Sequence, residues 1–119
     1  MRLLTSIIGA LVLSVVFISA QTNLTGKWVL DVQTDAGSGT PTVTFKQDGD
    51  KLSGHYSGQL GEAELTGSVK GNDFTFSFSG DLQGQTFKVT YAGTVTKDTM
   101  KGTVDLGGMA SGTFTGKKQ

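Results

Sequence analysis

The sequence predicts an all-β protein, an eight-stranded antiparallel up-and-down β-barrel. Three observations predict it. From Thr25 onward nearly every segment alternates apolar and polar residues with a period of two, and none carries the i, i+3, i+4 apolar spacing of a helix longer than two turns. Short turn signals separate the segments. A glycine recurs at a fixed place inside them.

Trp28, Leu30 and Val32 share one face of a first strand, and Val43 with Phe45 share one face of a second. Leu52, Gly54 and Tyr56 mark a third, and Ala63, Leu65, Gly67 and Val69 a fourth. In the fifth, Phe74, Phe76 and Phe78 are separated by Thr75 and Ser77, the cleanest alternation in the chain. Phe87, Val89, Tyr91 and Val95 follow on a sixth, Met100, Gly102, Val104 and Leu106 on a seventh, and Ala110, Gly112 and Phe114 on an eighth. The opposite parity holds Thr, Ser, Lys, Asp, Glu and Gln, as expected of a sheet with one solvated face. Asp48-Gly49, Gly71-Asn72, Lys97-Asp98 and Gly107-Gly108 suit tight hairpins, which force neighbouring strands to run antiparallel.

The glycines suggest how the sheet closes. An apolar or small residue, any residue, glycine, any residue and an apolar residue recur as Leu24–Trp28, Leu52–Tyr56, Leu65–Val69, Tyr91–Val95, Met100–Val104 and Ala110–Phe114. A strand-interior glycine costs roughly 0.5–1 kcal/mol relative to alanine, so its repetition on the inward parity needs a compensating gain. The expected gain is curvature, with room for an aromatic from the next strand. Closure also removes exposed edges. A two-layer β-sandwich of the same strands is the alternative.

Residues 1–20 read as a secretory signal peptide: Met1-Arg2 gives a positive start, and Ile7 to Ile18 is an apolar run ending at Ser19-Ala20. An uncleaved anchor is the alternative, but Leu3 to Ala20 is interrupted by Thr5, Ser6, Gly9 and Ser14 and falls short of the ~20 residues that span a bilayer. The expectation is cleavage after Ala20, a single barrel domain over 21–119, a periplasmic or secreted location, and no membrane insertion afterwards. Asn23-Leu24-Thr25 matches a glycosylation acceptor. The mature segment has nine Lys, no Arg and ten Asp plus Glu, a balance that argues against a nucleic-acid partner. The chain has no cysteine, which excludes disulfide and thiol chemistry.

Gly26-Lys27-Trp28, a Gly-x-Trp at the start of the first strand, resembles the opening motif of the lipocalins and related calycin barrels. Leu52 to Tyr56 and Leu65 to Val69 look like avidin strands, and the run from Gly37 to Phe78 is similar to small, poorly characterised bacterial exported domains, some attached to larger hydrolases. The resemblance implies a lipocalin-like barrel with Trp28 packed at its closed end. Lipocalins usually place an arginine over that tryptophan; here Lys117 or Lys118 is the nearby substitute. Avidins use several tryptophans to hold biotin, whereas this chain has one.

The connections Asp35 to Thr40, Gly58 to Gly61 and Gly80 to Gly84 are longer than the others and fall on one rim of a meander, so a ligand is expected at that mouth. Asp35, Ser38, Thr40, Gln59, Glu62, Asp81 and Gln83 supply its polar groups, and Val32, Val43, Tyr56, Phe78 and Phe87 its apolar walls. The same residue types are ordinary turn formers and ordinary core.

Catalytic chemistry is not visible. Nucleophilic catalysis needs a base beside the nucleophile, and the one histidine, His55, lies on the solvated parity of the third strand. Glu62 and Glu64 face the same way but opposite to Ala63 and Leu65, hence toward water. Asp48-Gly49-Asp50 is too short for a calcium loop, and no metal, nucleotide or haem motif is present, so no cofactor is expected. The sequence therefore reads as a non-enzymatic exported barrel that binds a small, mostly apolar ligand at its rim. The alternative is a solid accessory module with an exported protein or envelope partner.

Overall fold

The computed structural model describes residues 23–82 and 84–119, with the side chain of Leu82 left out. The leader expected over residues 1–20 lies outside the described residues, as does the rim residue Gln83. Nine strands follow in order: β1 (Gly26–Thr34), β2 (Gly37–Gly39), β3 (Thr42–Asp48), β4 (Lys51–Gly58), β5 (Gly61–Lys70), β6 (Asp73–Leu82), β7 (Gln85–Thr96), β8 (Thr99–Leu106) and β9 (Ala110–Lys118). All pairings are antiparallel between chain neighbours, except that β1 also pairs β3, and β9 returns to β1 from Thr34↔Gly112 to Trp28↔Lys118. That last ladder closes the barrel and rules out the sandwich.

The ninth strand is half of another. β2 pairs β1 through Val32↔Gly39 and β3 pairs it through Val29↔Thr42, so both keep a single register along β1. The interruption falls at Thr40-Pro41. Pro41 still accepts a hydrogen bond from the Leu30 N–H at 2.9 Å, but it has no N–H to return, so the ladder lapses there. The barrel thus has eight staves in meander order, the second broken by proline.

The glycines bring the staves close. A Cβ built on Gly54, Gly67, Gly93, Gly102 or Gly112 would fall on a carbonyl oxygen of the adjacent strand, that of Thr44, Thr75, Lys101, Ala92 or Gln33 respectively. Only glycine permits that approach, which a small closed sheet needs to coil. Four of these glycines also stand opposite an aromatic: Gly54↔Phe45, Gly67↔Phe76, Gly93↔Phe74 and Gly102↔Phe114. The inward aromatic fills the space that the missing side chain leaves.

The lumen is filled rather than open. Trp28, Leu30, Val43, Leu65, Phe76, Val89, Tyr91, Val95, Val104 and Phe114 are among its buried residues. Tyr91 stacks on Phe76 at 4.8 Å between centroids and meets Phe114 edge-on at 5.0 Å, while Tyr56 stacks on Phe78 at 4.1 Å. Each such contact contributes about 0.5–1.5 kcal/mol beyond area burial. At the lower end the Trp28 indole N–H donates to the Leu24 carbonyl at 3.0 Å, and the Leu24 N–H donates to Gln47 Oε1 at 2.7 Å. Leu24 is fully buried, so the segment before β1 plugs that end. Lys118, opposite Trp28 and on the inward parity, is the lysine beside the tryptophan; Lys117 faces out and pairs Val29.

Candidate functional site

The upper end carries a small mouth of about 110 Å³. Val32, Tyr56 and Tyr91 rise into it from the core, Leu60 and Leu106 flank them, and Gly37 to Gly39, Pro41 and Gln59 form the rim. The broken stave shapes this rim. Where the ladder lapses at Pro41, the proline ring packs against Gly58, whose missing Cβ would stand 2.7 Å from both Pro41 Cβ and the Tyr56 hydroxyl. The Gln59 side chain lies across Gly39, its Oε1 3.1 Å from the place a Cβ would take.

The mouth is apolar at its walls and polar where the tyrosines end. Burial pushes both phenols above the usual value of 10, Tyr91 far above it; the Tyr56 shift is opposed by the nearby Leu60 backbone amide. Both are therefore neutral hydroxyls throughout the physiological range. Among the described residues no Lys, Asp, Glu or His lines the mouth.

Of the expected site residues, Val32, Ser38, Tyr56 and Gln59 come together there. The others do not. Val43 is fully buried and paired with Trp28 and Tyr56 in the ladders, and Phe78 is buried beneath, stacked on Tyr56. Phe87 packs partly buried against the core. Asp35 is exposed in the β1–β2 turn, Asp81 is exposed near the end of β6, and Glu62 is exposed on the outer face of β5. Thr40 borders a different concavity described below. Leu60, Leu106 and Tyr91 were missing from the expected set. Leu60 sits in a turn, and Leu106 and Tyr91 read simply as inward strand residues; only the barrel's tilt shows that they end at the rim.

The expected loop asymmetry is also corrected. The segment Asp35 to Thr40 is not a loop: β1 ends at Thr34 and β2 begins at Gly37, leaving a two-residue turn. Likewise β6 extends to Leu82 and leaves only 83–84 before β7. Glycine, serine and proline composition suggested a loop, but backbone pairing with β1 outweighs it, because an extended segment beside a strand satisfies its own polar groups. The mouth therefore owes its existence to the broken stave rather than to long loops.

A second concavity, about 580 Å³, lies on the outside of the barrel across β7, β8, β9 and β1. Outward residues Thr94, Thr96, Thr99, Lys101, Thr115 and Lys117 border it, with Leu30, Met100 and Gly116 at its floor. It is larger than the mouth.

On the opposite outer face, β4 and β5 set His55 between two carboxylates. Its Nε2 lies 3.1 Å from Glu62 Oε1, and its Nδ1 lies 3.1 Å from Glu64 Oε2. Hydrogen bonding to Glu64 and then to Glu62 raises the imidazole above its ordinary 6.5. The cation can donate from both nitrogens at once, which the neutral ring cannot. Among the described residues no group of three or more His, Asp or Glu side chains is arranged to hold a metal ion. No known protein family matches the chain, and no curated protein is similar to it.

Proposed function

We propose that the protein is an exported, non-enzymatic, lipocalin-like barrel that holds one small ligand in the mouth around Val32, Tyr56, Leu60, Tyr91 and Leu106. The observation that supports this reading is the mouth itself, a concavity at the end of an otherwise packed lumen. Its volume of about 110 Å³ sets the ligand's size. An enclosed apolar cavity of ~150 Å³ takes benzene, and drug-sized ligands need roughly 300 Å³ or more. The occupant is thus a molecule of about one ring, not a long-chain lipid. The apolar run at residues 7–18 supports export to the periplasm or the medium.

Thermal unfolding of the mature chain in the presence of graded lipophiles tests this. A compound at about ten times its dissociation constant stabilises by roughly 1.4 kcal/mol, which raises the midpoint by several degrees for a domain of this size. One-ring compounds should produce that shift and long-chain fatty acids should not. A flat response across the panel refutes the reading. Trp28 sits at the opposite end of the barrel, so its fluorescence is the poorer readout.

A second reading, an accessory module with an exported protein partner, draws support from the outer groove over Met100 and Gly116. Photo-crosslinking from position 115 in the native host tests it; recovery of free monomer alone counts against it.

A further inference from the structure

We infer that the mouth selects a neutral one-ring molecule bearing a carbonyl or ether oxygen, which accepts hydrogen bonds from the Tyr91 and Tyr56 hydroxyls. The inference rests on the reading of the mouth as a ligand site and adds the chemistry of the ligand.

Tyr91 is 1 % exposed and Tyr56 2 %, yet both line the mouth. Besides its strand ladders, Tyr91 takes part in one side-chain hydrogen bond, its carbonyl accepting from Thr75 Oγ1 at 3.1 Å; among the described residues its hydroxyl has no hydrogen-bond partner. At the same time, among the described residues no walled-in side-chain polar atom is left unsatisfied. The Tyr91 oxygen therefore meets the mouth, not packed protein. A sequestered hydroxyl of this kind costs about 1–3 kcal/mol when nothing pairs with it, so an occupant that supplies the partner gains what an apolar occupant forfeits.

The polarity of the pairing follows from the phenol group itself. Its oxygen shares electron density with the ring, so a neutral phenol hydroxyl donates a hydrogen bond more strongly than it accepts one. The complementary ligand group is an acceptor. A charged acceptor such as a carboxylate would be desolvated with no cation beside it, because among the described residues no Lys, Arg or His lines the mouth, and Asp35 stands in the adjoining turn. That selects a neutral oxygen. The rest of the ligand meets Val32, Leu60, Leu106 and Pro41, which fit an apolar ring.

The test uses three probes of similar size, cyclohexanone, methylenecyclohexane and benzoate, measured by calorimetry and thermal shift on the mature chain and on Tyr91→Phe and Tyr56→Phe. Near-UV circular dichroism verifies that each variant keeps the packed core. The expected result is cyclohexanone binding about tenfold or more tighter than methylenecyclohexane, weak benzoate, and loss of most of the ketone's advantage in the two variants while methylenecyclohexane is unchanged. Equal binding of ketone and alkene overturns the inference and leaves the mouth as a ligand site. Preferential benzoate binding overturns it too, as does a ketone preference that survives both substitutions. Failure of all three probes to bind overturns the ligand site itself.

Discussion

Gly67 faces Phe76 across the β5–β6 ladder, and the Cβ that Gly67 lacks would fall on the carbonyl oxygen of Thr75 beside it. The pair joins the two roles of the repeated glycines, close approach of backbones and space for an aromatic. Gly67→Val should therefore destabilise the barrel by on the order of 3 kcal/mol, the upper range for overpacking, because backbone cannot move aside as a side chain can. Gly71→Ala, in the β5–β6 turn with open space around it and φ of 63°, should cost only about 1 kcal/mol. Urea denaturation of both variants checks the ratio. Equal losses contradict the role given to the strand glycines.

Trp28 is fully buried, and its N–H is the partner of the Leu24 carbonyl at the plugged end. Trp28→Phe removes that bond and part of the packing, and should cost about 2–4 kcal/mol in chemical denaturation. The wild-type emission should be blue-shifted and poorly quenched by iodide. Ready quenching shows that the lower end is open.

Most of the fold was legible because alternation and turn chemistry act locally. Each inward residue from Trp28 to Phe114 followed from parity alone, and the Gly71-Asn72 and Lys97-Asp98 turns fall where the sequence places them. Gly37 to Gly39 was misread as loop because nothing local distinguishes a glycine-rich strand from a connection. Its strand character comes from β1, and the two share a register only once the Asp35-Ala36 turn is tight. The His55 pair of contacts was hidden for the same reason. His55 and the glutamates were correctly read as solvated, but Glu64 stands opposite His55 only through the register that the Gln59-Leu60 turn sets.

That register gives a prediction of its own. The folded imidazole of His55 titrates above 6.5, so its contribution to stability is complete below that value and is lost as pH rises through the folded pKa. Histidine proton shifts followed by NMR should show the raised value, and Glu62→Gln with Glu64→Gln should return it toward 6.5. The stability change is small because the cluster is exposed. An unshifted wild-type titration contradicts the contacts.

Tyr91 titrates far above 10 when folded because its phenol is buried. The unfolded chain ionises near 10, so stability falls as pH rises beyond that point. Ultraviolet difference titration should show Tyr91 ionising together with alkaline unfolding, not before it. Tyr91→Phe should leave stability at pH 7 unchanged or slightly higher, since the lost hydroxyl has no hydrogen-bond partner among the described residues. A loss above about 1 kcal/mol signals a protein hydrogen bond at that oxygen.

Lys97 holds φ of 57° in the β7–β8 turn, a conformation that costs a residue with a side chain about 1 kcal/mol. Lys97→Gly should therefore raise the unfolding free energy by a few tenths to about 1 kcal/mol in thermal or urea unfolding. A loss of stability would place the turn in another conformation.

The most direct measurement is a crystal structure of the mature chain soaked with cyclohexanone. The account predicts density for one ring among Val32, Leu60 and Leu106, with its oxygen within hydrogen-bond reach of the Tyr91 and Tyr56 hydroxyls and the packed lumen below unchanged. A ring seated in the outer groove over Met100, beside an empty mouth, would contradict it.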